Sequence, residues 1–147
     1  MTYLGHRFVV DTNVLVSRLL LPDSIPGQAF AKAQATGDML VSDETLGELA
    51  EVLSRPKFDK YLSAKERRKF FSLLAPLCIK VEIVQPIQAC RDPHDDKFLE
   101  LAVNGSADFI LSGDSDLLAL HPFQETPILS PVKYLQSDGS DPTPLRE

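Results

Sequence analysis

Tryptophan is absent from this chain, and cysteine and methionine occur only twice each and histidine three times in 147 residues. Cys78 and Cys90 lie in separate segments, forming neither a CxxC pair nor a framework of several bridges, so both read as reduced structural thiols. His6, His94 and His121 are isolated from one another, which excludes the histidine and cysteine spacing of a zinc site. Any metal would have to be held by oxygen. Long apolar runs are missing too. The longest candidate, residues 14–21, is broken by Ser17 and Arg18 and falls short of the roughly 20 apolar residues that a bilayer span demands. Residues 1–10 lack the basic start, apolar stretch and small-residue cleavage site of a secretory signal, so the expected location is the cytoplasm, with no membrane attachment. Nor is there an excess of positive charge. Fifteen basic residues against twenty-one acidic ones give a formal charge of −6, which excludes nucleic-acid binding by bulk charge alone. Seven glycines and eleven prolines are too few for a low-complexity polymer, and a hydrophobic share of 44% can repay the entropy of ordering a core. One domain over residues 1–136 is expected, followed by a polar tail, 137–147, that contains Pro142 and Pro144.

The distribution of charge says more than its sum. Residues 55–69 hold Arg55, Lys57, Lys60, Lys65, Arg67, Arg68 and Lys69 against only Asp59 and Glu66. Such a window can hold a phosphate backbone, or it can be an ordinary solvated helix face. Elsewhere the chain alternates short apolar runs with helical patterns. Strands are expected at residues 7–10, 39–42, 79–84, 108–112 and 127–129, with helices between them. Ser63 and Glu66 form a capping-box pattern that opens one helix; Arg55 and Pro56 close another, because the residue before proline disfavours helical torsions. Strands separated by helices pair in parallel through right-handed crossovers. The expected architecture is an α/β/α sandwich around a parallel sheet of four to five strands. In such sheets a site forms beyond the carboxyl ends of the strands, where the strand order reverses.

Acids stand at those ends. Asp11 follows Phe8, Val9 and Val10 directly, so it either caps the next helix or belongs to a site. Asp114 and Asp116 stand in the same relation to the strand at 108–112, and capping accounts for only one of them. In the cluster Asp92, Pro93, His94, Asp95 and Asp96, a helix start explains Asp92 as the cap, Pro93 as the first residue and Asp95 three positions after the cap; Asp96 is left over. Glu44, Glu48 and Glu51 line one helix face. Glu51 has Arg55 four residues on as a partner, whereas Glu48 gains nothing locally from its charge. Four carboxylates converging at one sheet edge repel one another unless they bind a hard cation or take up protons. Magnesium or manganese suits an oxygen-only donor set.

This ordered series of acids resembles the PIN domain, a metal-dependent nuclease fold found in the toxins of VapBC-type toxin-antitoxin systems and in many RNA-processing enzymes. Asp11 within residues 8–15, Glu48 within 46–49, Asp96 within 91–102 and Asp114 within 107–118 are similar to its four motifs, and the likeness runs over residues 7–135. The resemblance implies an endoribonuclease that cuts single-stranded RNA with Mg2+ or Mn2+, one or two ions activating water for in-line attack. It implies Asp11, Glu48, Asp96 and Asp114 as the catalytic set, with Asp116 as a further metal ligand. Asn13, Ser112 and Asp95 would orient their neighbours, and Arg55, Lys57, Lys65, Arg67, Arg68 and Lys69 would contact RNA phosphates. A cognate antitoxin and a homodimer are the implied partners. Two other readings compete. A phosphohydrolase of the haloacid-dehalogenase type needs an acid two residues after its nucleophilic aspartate, where this chain has Asn13. A catalytically silent interaction module would leave the complete acid set without purpose.

Overall fold

A computed structural model describes residues 6–137. Five parallel strands, β1 (His6–Val10), β2 (Gly37–Val41), β3 (Ile79–Lys80), β4 (Phe109–Leu111) and β5 (Ile128–Leu129), form one sheet in the order β3-β2-β1-β4-β5. Among the described residues seven α-helices flank it: α1 (Thr12–Leu20), α2 (Ile25–Thr36), α3 (Asp43–Leu53), α4 (Ala64–Leu74), α5 (Asp96–Gly105), α6 (Ser115–Leu118) and α7 (Pro131–Gln136). The expected α/β/α sandwich is therefore present, with five strands. Among the described residues no helix is long and apolar enough to cross a membrane. Apart from Ser137, the expected polar tail lies outside the described residues.

Strand periodicity divides the core. Phe8, Val10, Met39, Val41, Phe109, Leu111 and Leu129 face α1, α2, α3 and α7, whereas Val9, Leu40, Ile110 and Ile128 face α5 and α6. On the first face Phe8 stacks on Phe109 with ring centroids 5.7 Å apart, and Phe109 stacks on Tyr134 at 5.0 Å. These contacts, worth about 1 kcal/mol each beyond area burial, hold β1 against β4 and β4 against α7. That junction is where the strand order reverses, and it places the ends of β1 and β4 side by side.

Two expectations change. The strand expected at 79–84 pairs only over Ile79–Lys80, with one further bond from the Val81 amide to the Val41 carbonyl at 2.7 Å. β2 ends there because Ser42 caps α3, so no ladder remains for residues 82–84; Asn104 instead accepts the amides of Val84 and Gln85. The helix expected to open at Asp92 opens in two steps. Asp92 caps a 3₁₀ turn, Pro93–Asp95, and the α-helical part begins only at Asp96. That shift decides which acids face the site.

Candidate active site

Asp11 leaves β1 and caps α1. Its Oδ1 accepts the Val14 amide at 2.9 Å, and its Oδ2 accepts a hydrogen bond from the Ser112 hydroxyl. The Ser112 oxygen in turn accepts the Asp114 amide at 3.0 Å, and the Asp114 carboxylate caps α6 through the Leu117 amide, also at 3.0 Å. One buried hydroxyl thus ties the two strand-end aspartates together. Capping and site-building are not alternatives here. Each side chain caps with one carboxylate oxygen, and both border the same cleft.

Between α1, α3 and the start of α5 lies a cleft of about 230 Å3, lined by Asp11, Glu48, Asp95 and Asp114 together with Thr12, Asn13, Arg55, Lys57 and Phe58. Asp11 is 5% exposed; burial and the charge of Asp114 raise its carboxyl above the ordinary range. Burial, followed by the charges of Asp114 and Asp92, pushes the Asp95 carboxyl up to about 6. Asp95 sits at the cap position of α5 without making a cap hydrogen bond. Glu48 is differently placed. Its Oε1 accepts from the Lys97 ammonium at 2.8 Å, and its Oε2 accepts from the Thr12 hydroxyl. A second hollow, of about 420 Å3, opens on the other side of Asp11 and Asp114 and is bordered by Asn13, Gly113 and Ser115.

A PIN domain family model matches residues 7–116, a stretch that includes every one of these acids. The chain belongs to the PIN domain family. Members of this family are generally nucleases. An uncharacterized protein of Methanocaldococcus jannaschii, MJ1680, is 29% identical over 123 residues, covering 78% of this chain and 74% of its own. VapBC2 from Rickettsia felis, bound to a DNA fragment from their promoter, superposes with a TM-score of 0.58 at 10% identity over 84% of this chain and 98% of that one. FitAcB from Neisseria gonorrhoeae gives 0.55 at 16% identity, covering 85% and 98%. At such identities these structures show the PIN fold.

The PIN domain places the acids of the third motif differently from the sequence expectation. Asp96 does not reach the cleft. Its Oδ1 accepts the amides of Ala89 and Cys90 at 3.0 and 2.7 Å, pinning residues 89–90, and it borders a different hollow beyond α5. Asp95 takes the place at the cleft. The expectation assumed an α-helix starting after Asp92; the tighter 3₁₀ turn changes the phase of the residues that follow. Asp116 is half-buried in α6 and is not among the residues lining the cleft or the adjoining hollow. Ser112 is fully buried and bridges the aspartates.

The basic window also divides. Arg55 and Lys57 border the cleft, Arg55 carrying a bidentate ion pair with Glu51 at 2.7 and 2.9 Å. Lys65, Arg68 and Lys69 are exposed on α4 and do not line it. Arg67 corrects its expected role, being 1% exposed. Its guanidinium donates to the carbonyls of Leu53 (2.7 Å), Arg55 (3.4 Å) and Leu62, and to the Asp59 carboxylate (2.8 Å). It closes the end of α3 onto α4 and has no face for a phosphate. Arg67→Met should therefore lower the unfolding free energy by about 3 kcal/mol, since it leaves buried carbonyls without donors. Urea titration followed by circular dichroism checks this, and a loss below about 1 kcal/mol would contradict it.

Sequence reasoning passed over Thr12, Phe58 and Lys97. Thr12 lies between two residues that it did single out, and Lys97 adjoins the third acid. Neither carries a pattern of its own, because their partner, Glu48, is far away in the chain.

Proposed function

We infer that this PIN domain is a divalent-cation-dependent endoribonuclease acting on single-stranded RNA, and the toxin of a toxin-antitoxin pair. The observation that carries the reading is the cleft itself, where Asp11, Asp95 and Asp114 meet without a paired cation while Arg55 and Lys57 stand at the same rim. The Asp11 and Asp95 carboxyls, raised first by burial and then by neighbouring charge, are what a cation relieves. The donor set fits magnesium or manganese. It is all oxygen. Among the described residues no three His, Cys, Asp or Glu side chains are placed to hold a metal ion together. Asp11, Asp95 and Asp114 would therefore hold an ion partly through its bound waters, several of which magnesium and manganese keep, with Glu48 beside them. A bound ion supplies positive charge for a phosphodiester's developing negative charge and lowers the pKa of water.

The chain's own residues do the remaining work. Ser112 and the Val14 amide fix the Asp11 carboxylate, and the Leu117 amide fixes that of Asp114, so neither needs reordering during reaction. Lys57 offers an ammonium to the strand's phosphates, and Phe58 offers an apolar wall against which a base or ribose can lie. The toxin role is supported by the structural neighbours, which are toxin-antitoxin complexes.

Purified protein should cut varied single-stranded RNAs with Mn2+ or Mg2+, and chelator should stop it. Absence of cleavage by folded, metal-supplied protein would sink the nuclease reading and favour a binding module. Co-purification with the protein of the adjacent reading frame, and growth arrest relieved by it, would test the toxin role. For RNA affinity, measured by fluorescence anisotropy on non-cleaving Asp11→Asn protein, Lys57→Ala should weaken binding uniformly across sequences. It should also reduce the slope of log Kd against log salt by about 0.7. Lys65→Ala should leave that slope unchanged, and equal effects of both would refute this path for the strand.

A further inference from the structure

Lys97 lines a hollow of about 620 Å3 beyond α5, whereas its partner Glu48 lines the acid cleft, so their ion pair crosses the wall between the two spaces. The lysine side chain is 8% exposed and the glutamate 27%. A buried ammonium is costly unless it is paired and its protons are accepted. Here Glu48 Oε1 accepts one at 2.8 Å, and the carbonyl of His94 accepts another. The second oxygen of Glu48 is taken by Thr12. Glu48 therefore has a cation of its own before any other arrives, in contrast to Asp11, Asp95 and Asp114, none of which carries an ion pair among the described residues. The arrangement joins α1, α3 and α5, and through the His94 carbonyl it grips the turn that carries Asp95.

We propose that Lys97 and Glu48 form a neutral positioning pair that sets the cation affinity of the cleft, Lys97 serving as a built-in counter-cation and Glu48 acting through it rather than as a direct ligand. This rests on the reading of the cleft as a cation site. Lys97 cancels the fourth carboxylate and leaves Asp11, Asp95 and Asp114 as the holding set. The pair also fixes the separation of α3 from the start of α5, and with it the width of the cleft.

The proposal makes a signed prediction for Mn2+ binding, measured by isothermal titration calorimetry on the full chain. Lys97→Met removes a nearby positive charge and should tighten binding about tenfold, while Glu48→Gln leaves the ammonium uncancelled and should weaken it about tenfold. The double variant, Lys97→Met with Glu48→Gln, removes both charges and should return to within about threefold of the wild type. Lys97→Arg keeps the charge and should keep the affinity. A double variant as weak as Glu48→Gln alone would show that Glu48 is itself a ligand and would overturn the proposal, as would an unchanged Lys97→Met. Should Lys97→Met alone fail to fold, Glu48→Gln and the neutral double variant still decide the matter. A wild type that binds no Mn2+ would overturn the cation-site reading and this proposal together. A wild type that binds Mn2+ and cuts RNA, but fails the cycle, would overturn this proposal alone.

Discussion

Replacing Asp11 by asparagine should lower Mn2+-supported cleavage by about 10³-fold while the protein stays folded. Asparagine caps helices as well as aspartate does, so the bond from the Val14 amide survives. The Ser112 hydroxyl, which now donates to Asp11, can accept from the new amide and still receive the Asp114 amide on its other lone pair. What disappears is a negative charge, 5% exposed, next to Asp114. In metal-free protein that charge opposes folding. Burial raises the folded-state pKa above the unfolded value of about 4, so the native state holds the proton more tightly. Wild-type stability should therefore fall as pH rises through the interval between the two values, and Asp11→Asn should escape that fall. Single-turnover cleavage and thermal melts over pH 4–8 in chelator check both halves. Cleavage within about tenfold of the wild type would remove Asp11 from the reaction.

Asp95 and Asp96, adjacent in sequence, should behave as opposites. Asp95→Asn should cost about 10²-fold in cleavage, because it removes one of the three unpaired carboxylates of the cleft. Its folding cost should be negligible, since the carboxylate makes no cap bond. Relief of its raised pKa, about 6 in the folded protein, should give metal-free Asp95→Asn a small advantage that develops between about pH 4 and pH 6 and persists above. Solvent screening keeps that advantage under about 1 kcal/mol. Asp96→Asn should instead leave cleavage within about threefold and cost about 1 kcal/mol of stability, because its oxygen then receives the Ala89 and Cys90 amides without a full charge. Cleavage rates set beside urea midpoints separate the two. Loss of activity in Asp96→Asn with Asp95→Asn near wild type would restore the assignment made from motif position.

Much of the architecture was legible in the chain because it depends on local rules. Phe8, Val9 and Val10 alternate between the two faces of a strand, as do Phe109, Ile110 and Leu111, and helices between strands require parallel pairing. Asp11, directly after β1, and Asp114, three residues past β4, had to emerge at carboxyl ends. The short length of β3 was not legible, because alternation in residues 79–84 says nothing about where the neighbouring strand stops. Nor was the burial of Arg67, since a basic run reads the same whether one member is covered by α3 or not.

What the sequence by itself determined is the layered fold, the scarcity of histidine and cysteine and the convergence of Asp11 and Asp114, all of which follow from periodicity, composition and position at strand ends. Which carboxylates share the cleft was decided only by the tertiary structure. One residue along a helix turns a side chain by about 100°, so a single 3₁₀ turn at Pro93–Asp95 is enough to send Asp95 to the cleft and Asp96 to the amides of residues 89–90. The charge state of the cleft was decided there as well. Glu48 meets Lys97 across 49 positions of chain, and such pairings arise from how α3 packs beside α5, which no local pattern encodes.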